Sequence, residues 1–145
     1  MTPNALLLIA SMLALGALAL GILFYLGTVR LPMIVKGEVR IKDVAISRDG
    51  WPEREKQVSN AFDNQFQLPV LFYVAAIVAL TFGPTLLEVL LAWVFVILRF
   101  IHAYIHVTDN HVTRRFWTYT AGLLVLCALW LDLAIRLVLI ALGAA

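Results

Sequence analysis

The sequence predicts an all-α integral membrane protein, a single bundle of four transmembrane helices, and two observations carry that prediction. Of its 145 residues, 63% are hydrophobic and only 14% charged, with a mean hydropathy of +0.94, a balance that a soluble domain of this length cannot bury. The apolar residues also gather into long runs, and a helix needs about 20 of them to cross the hydrocarbon core, so four spans and their connections use nearly all of residues 1–145. The chain therefore reads as one membrane domain, with no room among these residues for a soluble one.

The first span is expected over about 5–29, with Tyr25 at headgroup level near its end and Arg30 as its stop. Ala17-Leu18-Ala19 resembles a signal-peptide cleavage site, but no Lys or Arg precedes the run and apolar residues continue through Leu26, so an uncleaved helix is expected. Residues 30–56 are mixed in charge and carry Pro32, Gly37, Gly50 and Pro52, the chemistry of a loop, with a turn at Arg48-Asp49-Gly50-Trp51-Pro52. The next apolar run, Leu68 to Phe82, is too short to span alone. Its helix is placed at about 59–82, with Asn60, Asp63, Asn64, Gln65 and Gln67 on polar opening turns and a kink at Pro69. Gly83-Pro84 predicts a tight turn into a third span at 85–107. A polar link with Asp109, Asn110, His111, Arg114 and Arg115 then leads to a fourth at 116–142.

Lys and Arg concentrate in the first and third connections and are absent from the second connection and both tails, which puts connections one and three in the cytoplasm and both termini outside it. The net charge of +2 sits beside membrane segments, so nucleic acid is excluded as a partner and membrane lipid is the expected surrounding. A single cysteine, Cys127, can close no intrachain disulfide.

The residues that are costly in a membrane are the candidates for chemistry. Arg99, His102 and His106 fall at i, i+3 and i+7, one helical face about two turns deep from the cytoplasmic end. An arginine at mid-membrane costs about 2.5–3.5 kcal/mol on insertion scales, so Arg99 should face the bundle with Asp63 as its partner. That pair serves equally for packing or for ligand binding. Asn60, Asp63, Asn64 and Gln67 share a face by helical spacing and are expected to look inward together. A metal site at His102 and His106 is not expected, for want of further ligands at regular spacing. Asp132 and Arg136, at i and i+4, are expected to neutralise each other near the outer face, and Glu88 to sit favourably at a helix N-terminus.

Taken together, these residues resemble the MAPEG family, the membrane-associated proteins in eicosanoid and glutathione metabolism, in a bacterial-type member. The resemblance rests on Asn60-Ala61-Phe62-Asp63-Asn64 followed by Pro69, on Arg99-Phe100-Ile101-His102, and on Arg114-Arg115 at the start of helix four, in the family's order and over almost the entire chain. It implies a homotrimer in the bacterial inner membrane that holds glutathione between subunits near the cytoplasmic face. Asn60 and Asp63 match the family's Asn and Glu, Arg99 its Arg, and His102 a position of His or Tyr. Arg115, with Arg114 as the alternative, matches the basic residue credited with activating the thiol. The sequence departs from the pattern at Asp63, one methylene shorter than Glu, at Lys56 in place of an Arg, and at His106 in place of a Tyr.

The resemblance thus implies a glutathione-dependent transferase or peroxidase acting on a lipophilic electrophile that arrives through the bilayer. Lys56, Asn60, Asp63, Arg99, His102 and His106 would bind glutathione and Arg115 or Arg114 would favour its thiolate, the nucleophilic form. The alternative is a non-catalytic relative binding lipid or a partner in the same interhelical pocket. A transporter is the weaker reading, because only Glu88 continues the polar stripe between Leu86 and Leu98.

Overall fold

In the computed structural model, which describes residues 1–143, the chain forms α1 (Pro3–Val35), α2 (Glu53–Asp63), α3 (Leu68–Phe82), α4 (Leu86–Val107) and α5 (Val112–Ala141), with a 3₁₀ turn at Asn64–Phe66 between α2 and α3. No strand forms among the described residues. Four stretches are long and apolar enough to cross a membrane, the second being α2 and α3 together over Glu53–Phe82. α1 and α4 pack side by side, as do α4 and α5, α3 and α5, and α1 and α3, which leaves α1 and α5 at opposite corners of the bundle.

The core is made thin on purpose by small residues. Ala75, Ala76 and Ala79 of α3 and Ala92 of α4 are fully buried, which lets backbones approach where lipid supplies no hydrophobic drive for helix association. Phe72 and Phe95 stack at their centre, ring centroids 4.9 Å apart. Leucines such as Leu13, Leu20, Leu90 and Leu124 stay exposed on the outside, as a lipid-facing surface requires.

Several element boundaries differ from the sequence expectation, each for a local reason. α1 passes through Arg30 to Val35, because Arg30 turns back on its neighbours rather than ending the helix: Nε donates to fully buried Glu55 at 2.6 Å and the guanidinium lies 5.2 Å over the Trp51 ring. Gly37, at φ +74°, follows the helix end. α2 begins at Glu53, not near Ser59, with Pro52 before it and Glu53 and Glu55 in its first turn, where the dipole favours acids. The loop read over 30–56 therefore shortens to 36–52. At Pro69 the predicted kink is a full interruption: Gln67 takes φ −102°, ψ −104°, and α3 restarts with proline in its first turn, where its missing N–H costs nothing. Gly83 makes the predicted turn at φ +77°, and Thr85 and Glu88 form a reciprocal capping box at the start of α4. α5 starts at Val112, one turn before 116, so Arg114 and Arg115 belong to its first turn.

Two hydrogen bonds fix which connections share an end. Gln57 Nε2 donates to the carbonyls of His106 at 2.7 Å and Thr108 at 3.1 Å, joining the first connection to the third. Asn4 Nδ2 donates to the Pro84 carbonyl at 3.1 Å, which places the N-terminus with the second connection.

Candidate functional site: a cationic cleft between the α2–α3 break, α4 and α5

Arg99, His102 and His106 all point into the bundle, at 1%, 3% and 1% exposure, as their shared helical face predicts. Arg99 has a different partner from the one expected. Its Nη2 donates to the main-chain carbonyl of Asn64 at 2.9 Å, and its Nε and Nη1 are buried with no protein partner. The interruption at Gln67 explains the acceptor, since carbonyls in the last turn of a helix lose their i+4 donors. Asp63 is engaged elsewhere: Arg48 from the loop grips it through Nη1 at 2.5 Å and Nη2 at 3.3 Å. That hydrogen bond, with the charge of Asp63, raises the Arg48 guanidinium above its ordinary value.

The first turn of α5 completes the site. His111 is its N-cap, with Nδ1 accepting from the Arg114 N–H at 3.4 Å. The two arginines then diverge. Arg114 lies exposed against Asp109 at 3.3 Å, whereas Arg115 donates to Asn110 Oδ1 at 2.5 Å and faces a cleft of about 300 Å³. Asn64, Gln67, His102, Val112, Phe116 and Tyr119 line the cleft with it, and none of these carries a negative charge. His102 touches His106 edge to face at 5.7 Å.

Of the residues singled out in the sequence, the cleft thus unites Asn64, Gln67, His102 and Arg115, with Arg99 and His106 buried outside its lining. Lys56, Asn60, Asp63 and Arg114 lie apart from it. Lys56 Nζ donates to the Asp49 carbonyl at 3.0 Å and Asn60 is exposed. The four polar residues expected on one inward face are divided, because the 3₁₀ turn and the break at Gln67 swing Asn64 and Gln67 toward the cleft while Asn60 stays outside. Asn64 and Gln67 repeat the i, i+3 spacing of Asn60 and Asp63 one turn later. Sequence reading missed Tyr119, which sits four residues after Arg115 and so on the same face of α5, and Arg48, whose role depends on the loop's path.

The opposite end corrects a second pairing. Arg136 does not pair with Asp132; its Nη1 bonds Glu88 Oε1 at 2.5 Å and its Nη2 donates to the Gly83 carbonyl at 3.1 Å. Asp132 Oδ2 is left buried without a partner. Glu88 bridges this ion pair and its own capping box, its Oε2 accepting from the Thr85 N–H at 2.6 Å.

Among the described residues no three His, Cys, Asp or Glu side chains converge in a metal-binding arrangement. Comparison with curated proteins and with solved structures gives no significant match. The MAPEG family model, in contrast, matches residues 8–135, a region that takes in the second and third spans whole, most of the first and fourth, and the cationic cleft. On that match, and on its four-helix membrane bundle, the chain belongs to the MAPEG family.

Proposed function

We propose that this protein is a glutathione-dependent transferase or peroxidase whose nucleophilic thiol lies in the cleft beside Arg115 and whose second substrate is a lipophilic electrophile. Membership supports the reading at the level of class, because the family includes glutathione transferases and peroxidases among other members. The observation that carries it is an uncompensated charge. Arg99 is 1% exposed with two unpartnered nitrogens, Arg115 Nε is likewise buried and unpartnered, and no carboxylate lines the cleft that Arg115 faces. A buried guanidinium without a counter-ion is costly, and an anionic ligand would supply the missing charge and acceptors.

In this reading Arg99 binds a carboxylate of glutathione and Arg115 favours the thiolate over the thiol. The proton leaves the sulfur for solvent at the open side of the cleft, and the sulfur lone pair bonds to the electrophilic carbon as that carbon's leaving group departs with its bonding pair, chloride in the case of a chlorinated nitrobenzene. Toward a hydroperoxide the thiolate attacks oxygen and the O–O bond breaks to release the alcohol, and a second glutathione then displaces the hydroxyl from the oxidised sulfur, leaving glutathione disulfide and water. Asn64 and Gln67 offer amide groups for the peptide, in the place where the resemblance implies Asn60 and Asp63. Phe116 and Tyr119 provide the apolar wall on which a lipid-soluble substrate can rest.

The same reading carries three associated proposals: a homotrimer, a bacterial inner-membrane location, and a cytoplasmic position for the end bearing the 36–52 loop. The concentration of Lys and Arg in that loop supports the orientation. A cysteine placed at Ser47 should resist an impermeant reagent added to intact cells, and labelling from outside would reverse the orientation. Native mass spectrometry in detergent reads the trimer.

The test of the activity is direct. Detergent-solubilised protein given glutathione should show thiolate absorbance in the ultraviolet at neutral pH and conjugate a chlorinated nitrobenzene or reduce a lipid hydroperoxide. Binding without thiolate or turnover would favour the non-catalytic reading, and no binding would overturn the ligand.

A further inference from the structure

Between α1 and α4 runs an apolar groove of about 370 Å³ that shares no lining residue with the cationic cleft. Ala17, Gly21 and Tyr25 of α1 recur every four residues along one wall, and Phe100 and Val107 of α4 stand on the other. The groove is open because two of those α1 positions carry almost no side chain. At Gly21 an added Cβ would meet no atom within 4 Å, so no neighbour fills the space the glycine leaves. From Ala17 to Tyr25 the helix rises about 12 Å, room for the upper part of an acyl chain, and no charged residue lines that length.

One end of the groove is charged. Arg54, from α2, donates through Nη2 to the Tyr25 hydroxyl and through Nη1 to Gln57 Oε1 at 3.1 Å, and its guanidinium lies 5.7 Å from the centre of the Tyr25 ring. Gln57 is itself fixed, because its Nε2 donates to the carbonyls of His106 and Thr108, on either side of the groove residue Val107. Those two carbonyls only accept, so the amide oxygen is the end turned to Arg54. Both acceptors of Arg54 are neutral, and no acidic side chain pairs with it among the described residues. The cation is therefore held in place at the end of an apolar groove, its rotamer freedom already restricted and its charge uncompensated.

We propose that the α1–α4 groove binds an anionic phospholipid of the bilayer, with an acyl chain along Ala17, Gly21 and Phe100 and the phosphate on Arg54. Charge complementarity selects this occupant. A guanidinium has five N–H donors, and the two neutral contacts leave donors for phosphate oxygens. A free phosphate would satisfy Arg54 and leave the groove empty, whereas a neutral lipid would fill the groove and leave the cation bare. A zwitterionic lipid brings its own ammonium beside the guanidinium and loses part of the gain. The site is independent of the glutathione reading, since none of its residues lines the cleft.

Photolabelling of the full chain in phosphatidylcholine vesicles tests this. The vesicles are doped either with phosphatidylglycerol bearing a diazirine in its acyl chain or with phosphatidylcholine bearing the same diazirine, and labelled peptides are mapped by mass spectrometry. The segments around Gly21 and Phe100 should label about tenfold more with the phosphatidylglycerol probe, the scale of one charge-assisted hydrogen bond. Arg54→Gln should bring the two probes to the same level. Gly21→Leu should remove both labels from the groove. Its side chain enters open space and replaces a helical glycine, so the unfolding midpoint in detergent should not fall. Equal labelling of the wild type by the two probes overturns the headgroup assignment, as does a preference that survives Arg54→Gln. A wild-type groove that takes no label from either probe overturns the site, the result expected where a second copy of the chain covers it. Arg54 is exposed, so its variant decides the matter even where Gly21→Leu does not fold.

Discussion

Arg48 and Asp63 hold each other across the mouth of the bundle through two hydrogen bonds, at 2.5 and 3.3 Å, and this contact frees Arg99 from any carboxylate. Both partners are about half exposed, with side chains at 54% and 44%. A double-mutant cycle between Arg48 and Asp63 should return a coupling of about 0.2–1 kcal/mol, the range of surface pairs, and the same cycle between Arg99 and Asp63 should be additive. Denaturation in detergent measures both. A larger coupling for Arg99 would reinstate the pair that the sequence suggests.

Arg99→Met removes a buried charge that has no counter-ion while keeping much of its volume. Thermal stability of the ligand-free protein should be unchanged or higher, and glutathione affinity should fall by at least tenfold. A variant that loses stability and affinity together would show that Arg99 holds the helices rather than a ligand.

The two arginines of α5 should separate cleanly. Arg115→Ala should lower turnover about 100-fold, the usual scale for one electrostatic stabiliser of a reacting anion, with a smaller change in glutathione affinity. Arg114→Ala, exposed and paired only with Asp109, should stay within about twofold of the wild type. Steady-state kinetics with the thiolate absorbance of each variant decides between them.

At the far end, Glu88→Gln should destabilise the bundle by about 3 kcal/mol, because Arg136 is only 21% exposed and would lose its charged partner. Asp132→Asn should be neutral within about 0.5 kcal/mol, since that carboxylate makes no ion pair. Unfolding midpoints of the two variants give the comparison.

The number of membrane spans, the turn at Gly83 and the inward face of Arg99, His102 and His106 were legible because each depends on local period or on backbone chemistry. Asp63 and Arg136 were misassigned for a shared reason. Sequence spacing names the residues that come within reach, but it does not show a third residue, Arg48 or Glu88, that arrives from another element and bonds first. The division of Asn60 from Asn64 was hidden in the same way, since a proline marks a weak point in a helix without giving the direction the chain takes after it.

The bond from Arg99 to the carbonyl of Asn64 has an evolutionary consequence. A main-chain acceptor survives any replacement of the side chain at its own position, so this contact places no constraint on which residue stands at 64. The constraint passes instead to the interruption that exposes the carbonyl, at Gln67 and Pro69. Relatives of this chain can then drift at the point of contact while keeping the contact. The residue whose loss would be felt there is the proline five positions away, which lies outside the cleft lining.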